Sequence, residues 1–241
     1  MARSKIMYHR ANRMRDYTSV PGIIGVEFDV HLTDGGAPQM VVYHDRVLPD
    51  GREVVSLTIG DMFSYEGIVV RLEEYIDVMT TSDLLLYIEL KGANADLCER
   101  MIAFLQDRKV LTNNIIIASF STEQIQAAYA LRKQHNASFL IGYVIRNFLD
   151  EQSYGTETYD ELPSVKMVEE ELGFIPDILS ADRQLLAAKE ATETMLDWRK
   201  DGRGLAVWTV NKMEDAKRLY PQVDMLLTDE VEMMVEEFGD H

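Results

Sequence analysis

At 241 residues with 46% hydrophobic content, the chain is long enough to bury a full core. Its formal net charge of −17 excludes general binding to nucleic acid or to an anionic membrane surface, both of which need a basic face. The single cysteine, Cys98, excludes an internal disulfide and sits where a helix is predicted, as a small buried hydrophobe rather than a nucleophile. No run approaches the roughly 18 apolar residues of a membrane span, so stable membrane insertion is not expected. Met1 to Lys5 lacks an apolar leader, and a cytoplasmic location is expected.

Ile6-Met7-Tyr8 predicts a short first strand that ends in His9-Arg10. The polar stretch to Pro21-Gly22 shows no amphipathic helix. Gly25 to Val30 then alternates acidic and apolar residues, which places Glu27 and Asp29 on one face of a second strand, about 6–7 Å apart. Val26, Phe28 and Val30 take the opposite, buried face. Thr33-Asp34-Gly35-Gly36 reads as turn chemistry, after which Met40 to Tyr43 forms the return strand of a hairpin and delivers His44-Asp45.

Val69 to Met79 has helical spacing, and Leu84 to Ile88 is a near-continuous apolar run, the mark of a strand buried on both faces. That run leads into Glu89-Leu90-Lys91. Strands are predicted again at Ile115–Ala118, Ser138–Val144, Ile178–Asp182, Leu205–Val210 and Val223–Leu227. Helices are predicted between them at 95–108, 123–134, 162–172, 185–200 and 213–219, with a last helix through Met234. Arg146 to Tyr159 reads as a long loop. Strand followed by helix, about eight times, is the pattern of a (β/α)8 TIM barrel occupying 1–241 as a single domain, with a β-hairpin extension after the second strand.

On a barrel the site lies at the C-terminal ends of the strands. His9 and Arg10, Glu27 and Asp29, Glu89 and Lys91, and Trp208 all fall there, and the hairpin adds His44. Three carboxylates converging on one mouth repel unless a cation offsets them, and oxygen ligands without cysteine favour one hard divalent cation, Mg²⁺ or Ca²⁺. Arg10 and Lys91 suit phosphate oxygens, and two histidines suit general acid–base work. The residue types fit metal-assisted cleavage of a small-molecule phosphate ester. Other residues carry plainer readings: His31 and His135 as surface or satisfied histidines, Asp45 as a group orienting backbone or ligand, Lys91–Glu89 as an internal ion pair, and Trp208 as core or as pocket lining.

Taken together, His9-Arg10, Glu27-x-Asp29, Val42-x-His44-Asp45, Glu89-Leu90-Lys91, Ser119-Phe120, Val207-Trp208-Thr209-Val210-Asn211 and Thr228-Asp229 resemble the glycerophosphodiester phosphodiesterase family, in order across essentially the whole chain. The resemblance implies a hydrolase that releases an alcohol and sn-glycerol 3-phosphate and depends on a divalent metal. It implies Glu27, Asp29 and Glu89 as metal ligands, His9 and His44 as the acid–base pair, Arg10 and Lys91 as phosphate contacts, and a mechanism in which the glycerol 2-hydroxyl attacks phosphorus. Two departures stand out. Ala11 replaces the family's glycine after His-Arg, and both the first barrel helix and the insertion beside the site are short or absent. These bring the chain nearer to sphingomyelinase D-like and lysophospholipase D enzymes, against which the lone cysteine and the lack of a leader weigh. A catalytically silent barrel used as a binding module is the non-enzymatic alternative, and the retention of both histidines and all three acidic positions speaks against it.

Overall fold

In the computed structural model the described residues are 4–12, 21–33, 37–64, 70–79, 83–148, 158–187 and 191–239. The barrel strands are β1 (Ile6–Tyr8), β2 (Gly25–Thr33), β5 (Leu85–Leu90), β6 (Ile115–Ser119), β7 (Leu140–Ile145), β8 (Ile178–Asp182), β9 (Gly204–Trp208) and β10 (Met225–Thr228). All pair in parallel in the order β1-β10-β9-β8-β7-β6-β5-β2, and β1 pairs with β2 to close the ring. β3 (Gln39–Val42) and β4 (Val70–Arg71) hang antiparallel from the long β2. This is the predicted TIM barrel with its hairpin extension. The stretch that was to show a missing first helix, 13–20, and the Asp34-Gly35-Gly36 turn lie outside the described residues, as does most of the Arg146–Tyr159 loop.

Each barrel strand sorts its residues by parity. On β6, Ile115 and Ile117 face the helices while Ile116 and Ala118 face the barrel interior. Tyr87 enters that interior from β5, and Gly142 leaves room for it: a Cβ at 142 would lie 3.4 Å from the Tyr87 hydroxyl and 3.2 Å from the Ala118 Cβ. Outside, helices α3 (Ala95–Asp107), α4 (Thr122–His135), α5 (Val165–Leu172), α6 (Ala191–Trp198), α7 (Met213–Leu219) and α8 (Val231–Phe238) cover the ring. Cys98 is fully buried on α3, as expected.

Helix boundaries follow local chemistry that hydrophobic spacing does not show. α5 starts at Val165 rather than near Leu162 because Pro163 precedes it and the Ser164 side chain accepts from the Met167 N–H. Of the helix expected over 185–200, the described residues show α6 over Ala191–Trp198, and 185–187 are not part of it. Leu185, Leu186 and Ala187 close tight turns onto the carbonyls three residues back, and the Asp182 carboxylate accepts from the Gln184 N–H at 2.7 Å. The expected Val69–Met79 helix splits into β4 and α2 (Leu72–Met79), since residues 70 and 71 pair with β3. Between β3 and β4, α1 (Ile59–Phe63) is set by a reciprocal capping box of Thr58 and Asp61. Val41, Leu48, Val54 and Met62 form a small core of their own beneath this segment.

Gly25 sits between β1 and β5, paired with Met7 on one side and Leu85 on the other, with no room for a side chain. A Cβ on Gly25 would meet the Leu85 carbonyl oxygen at 2.5 Å and Met7 Cε at 3.0 Å. Gly25→Ala is therefore expected to destabilise the fold by about 1–3 kcal/mol through forced backbone shifts, measured by urea unfolding. Burial, with the nearby Glu99 charge, pushes the Cys98 thiol up to about 12. Native protein at pH 8 is expected to be inert to thiol reagents and to react with one equivalent after denaturation.

Candidate active site

The register of β2 and β5 places Asp29 beside Glu89, and Glu27 lies two residues back on the same face. Ligand oxygens of Glu27, Asp29 and Glu89 all lie within 4.8 Å of one another. Glu27 and Asp29 are almost fully buried and Glu89 largely so. Such packing of like charge is held by neighbours. Lys91 leaves the end of β5 and sets its ammonium 2.8 Å from Asp29 Oδ1 and against Glu89 Oε1. Asn12 bridges Asp29 twice, donating from Nδ2 to Oδ2 at 3.0 Å and accepting the Asp29 N–H at 3.0 Å. The Arg10 N–H donates to Glu27 Oε2 at 2.7 Å.

Titration follows from these partners. Burial on its own raises the Asp29 carboxyl, yet Lys91, then His44 and the Asn12 amide, hold it well below the usual carboxylate range. Burial likewise favours a neutral Lys91, but Asp29 and Glu89 keep its ammonium charged above the usual lysine range. Glu27 goes the other way, raised by burial and by the charges of Asp29 and Glu89. Its Oε1 is buried with no hydrogen-bond partner among the described residues. An all-oxygen donor set with one orphaned carboxylate oxygen is what a hard divalent cation takes.

Two histidines flank the cluster, and both are anchored alike. His9 follows β1, and its Nδ1 lies 2.8 Å from Asp229 Oδ1. A carboxylate only accepts, so Nδ1 carries the proton and Nε2, 3.9 Å from Glu27 Oε2, is the nitrogen facing the cluster. Asn211 fixes Asp229 in turn, donating to Oδ2 at 2.7 Å and accepting the Asp229 N–H at 2.9 Å. Burial opposes the charge on Asp229, but the His9 and Asn211 bonds hold its carboxyl down to about 2. His44 follows β3 and donates from Nδ1 to Asp45 Oδ1 at 2.6 Å, so Asp45 meets the histidine rather than the backbone or ligand groups expected of it. Burial lowers His44 below the ordinary histidine value, with Asp29 pulling against that and Lys91 and Arg10 adding to it.

Most of the residues read from the sequence thus meet at one mouth. Arg10 stands with a positive φ of 54°, its charge acting on both His44 and Asp229. The left-handed backbone falls on Arg10 and not on Ala11, whose methyl is fully buried. Trp208 lies four strands from β5 around the ring, half-buried and edge-on to Phe120 at 5.5 Å, with its indole donating to the Ser180 carbonyl. His31 is a satisfied core histidine: it is buried against the His44 carbonyl at 3.3 Å, and burial lowers it to about 4. His135 lies at the end of α4, away from the strand ends that carry the cluster. Asn12 and the orienting part of Asp229 were not read from the sequence. Asp229 belonged to a recognised motif without a role, and Asn12 carried no signal beyond a polar stretch.

The sequence matches the Glycerophosphoryl diester phosphodiesterase family over residues 14–233. No curated protein matches it by sequence. Among solved structures it is similar to a glycerophosphodiester phosphodiesterase from Thermotoga maritima, at 24% identity and a TM-score of 0.74, covering 98% of this chain and 99% of that one. A Parabacteroides distasonis glycerophosphodiester phosphodiesterase gives 21% and 0.78, covering 98% and 97%. An Oleispira antarctica phosphodiesterase, solved with the product sn-glycerol-3-phosphate, gives 19% and 0.71, covering 96% and 95%. The match over more than half the chain, on a closed barrel with acidic residues and histidines at its mouth, places this protein in the glycerophosphoryl diester phosphodiesterase family.

Proposed function

We propose that the enzyme hydrolyses glycerophosphodiesters to an alcohol and sn-glycerol 3-phosphate, with Mg²⁺ or Ca²⁺ held by Glu27, Asp29 and Glu89. The observation that carries this is the cluster of three carboxylates within 4.8 Å, one of them with an orphaned buried oxygen. When bound, the cation supplies charge to the non-bridging phosphate oxygens. The remaining roles fall to side chains of this chain. Lys91 and Arg10 draw the phosphate to the cluster against the overall negative field. His9 and His44, each held by a carboxylate at Nδ1, present Nε2 for proton transfer: one takes the proton of the glycerol 2-hydroxyl as it attacks phosphorus and the other gives a proton to the departing alcohol. Water then opens the resulting cyclic phosphate to sn-glycerol 3-phosphate, with the two proton-transfer roles reversed. The product bound to the Oleispira relative supports the substrate class. Among the described residues no helix is long and apolar enough to cross a membrane; a cytoplasmic location, suggested by the lone buried cysteine, belongs to the proposal.

The direct test is release of sn-glycerol 3-phosphate from glycerophosphocholine with Mg²⁺, with Ca²⁺ and with EDTA. Product is expected with at least one metal and none with EDTA; no product under any condition contradicts the reading. His9→Ala and His44→Ala are each expected to lower kcat by about 10²–10⁴-fold with the fold intact. Asp229→Ala leaves the imidazole present but unanchored and is expected to cost less than His9→Ala; an equal or larger loss would remove the orienting role.

Lys91→Met tests the electrostatics without substrate. In metal-free buffer at pH 7 it is expected to cost about 3 kcal/mol by urea unfolding, because two buried carboxylates lose their counter-charge. Asp29 is held below its unfolded value, so its stabilisation is present above about pH 4 and is lost as pH falls. The gap between wild type and Lys91→Met is therefore expected to narrow under acid; a gap that widens contradicts the assignment.

A further inference from the structure

Past Glu89 the chain leaves the barrel through Leu90, Lys91, Gly92 and Ala93 on its way to α3. Lys91 donates its N–H to the Val30 carbonyl at 2.9 Å, and Gly92 then turns the backbone with a positive φ of 84°. All four carbonyls of this stretch are met by side chains from residues 119–124, where β6 passes into α4. Ser119 Oγ donates to the Leu90 carbonyl at 2.9 Å, and Ser121 Oγ donates to the Ala93 carbonyl at 3.3 Å. Between them, Gln124 Nε2 donates to the Gly92 carbonyl at 2.9 Å and more weakly to the Lys91 carbonyl at 3.4 Å.

These three side chains are built into the barrel wall. Ser119 and Gln124 are fully buried and Ser121 nearly so. Ser119 Oγ also accepts the Ser121 N–H at 3.1 Å, and Ser121 Oγ caps α4 by accepting the Gln124 N–H at 3.3 Å. One hydrogen-bonded unit therefore ties the end of β6 and the first turn of α4 to the chain that carries Lys91. The Gln124 amide stands one way only, since an oxygen turned toward two carbonyls would meet two acceptors. That orientation leaves its Oε1 buried with no hydrogen-bond partner among the described residues, which costs stability. The amide donates to backbone alone, and what it secures is the place of Lys91 and Gly92. Ser119-Phe120 is one of the motifs that carry the family resemblance, yet neither phosphate binding nor proton transfer uses Ser119.

We propose that Ser119, Ser121 and Gln124 clamp residues 90–93 and so set the Lys91 ammonium between Asp29 and Glu89, with Gln124 as the positioning residue. Its bearing on turnover rests on the phosphodiesterase reading above; its bearing on the carboxylate cluster does not. A lysine is a point charge on a flexible stem, so the place of its ammonium depends on where that stem is rooted. Lys91 reaches Asp29 Oδ1 on β2 at 2.8 Å and Glu89 on its own strand, with a side chain only 11% exposed. A displaced root lengthens these contacts, and in a buried site the attraction lost with distance is large. The same ammonium meets the phosphate, so a loosened root weakens that contact as well.

Two double-variant cycles test this, built on Gln124→Met, which keeps the shape of the side chain and removes its N–H donors. The first follows urea unfolding in metal-free buffer. Gln124→Met is expected to lower the unfolding midpoint more beside Lys91 than beside Lys91→Met, where no ammonium is left to place. Lys91→Gln takes the place of Lys91→Met if the latter does not fold. The second cycle measures kcat/KM on glycerophosphocholine. There Gln124→Met is expected to lose about tenfold beside Lys91, mostly through KM, and less than about twofold beside Lys91→Met. The inhibition constant of sn-glycerol 3-phosphate is expected to rise in step with KM. Equal midpoint shifts in both backgrounds, no shift in either, or the same loss of kcat/KM in both would overturn the proposal while leaving the phosphodiesterase reading standing. Unequal midpoint shifts in a protein whose wild type is inactive with Mg²⁺ and with Ca²⁺ would support the clamp and overturn that reading.

Discussion

Three carboxylates pressed together inside a barrel mouth repel one another, and the surrounding structure answers that repulsion. Asp29 and Glu89 are neighbours because β2 and β5 are neighbours in register, and Glu27 joins them because a strand repeats its facing every second residue. The Lys91 ammonium bridges the two nearest charges, Asn12 satisfies Asp29 from both its amide atoms, and the Arg10 N–H meets Glu27. These contacts discharge the cluster incompletely. One Glu27 oxygen stays without a partner among the described residues, and its carboxyl is raised. A fold spends stability on such an arrangement where a positive ligand completes it.

The division of labour follows from what is rigid. The carboxylates sit on strands whose outer faces are buried under helices, so their spacing is set by the sheet. Both histidines instead leave strand ends on short connections and need an external brace. For His9 it is Asp229 from the last strand, itself held by Asn211; for His44 it is the next residue, Asp45. The same principle operates twice with different chain topology, once across 220 residues and once across one. For His9 the brace leaves Nε2 as the nitrogen that faces the cluster.

Much of this was legible in the chain. The Gly25–Val30 alternation put Glu27 and Asp29 on the inner face and Val26, Phe28 and Val30 on the outer one, as observed. The apolar run before Glu89 marked β5, and the strand–helix count gave the barrel. What stayed hidden was of two kinds. Register is one: nothing in the sequence says that Asp29 lies opposite Glu89, since the β3–β4 excursion stands between their strands. Side-chain reach across the ring is the other. Asn12 looks like any polar loop residue until the fold brings it to Asp29. Helix starts slipped for a simpler reason. At Asp182–Ala187 and at Pro163-Ser164, turn and cap hydrogen bonds overrode the apolar period.

The central claim is that the cluster holds a divalent cation, and calorimetric titration of Mg²⁺ and Ca²⁺ into metal-free protein tests it most directly, with Glu89→Ala alongside. Saturable binding of one ion per chain in wild type, weakened in a folded Glu89→Ala, is the predicted result. Binding of neither ion, or binding that Glu89→Ala leaves unchanged, would contradict it.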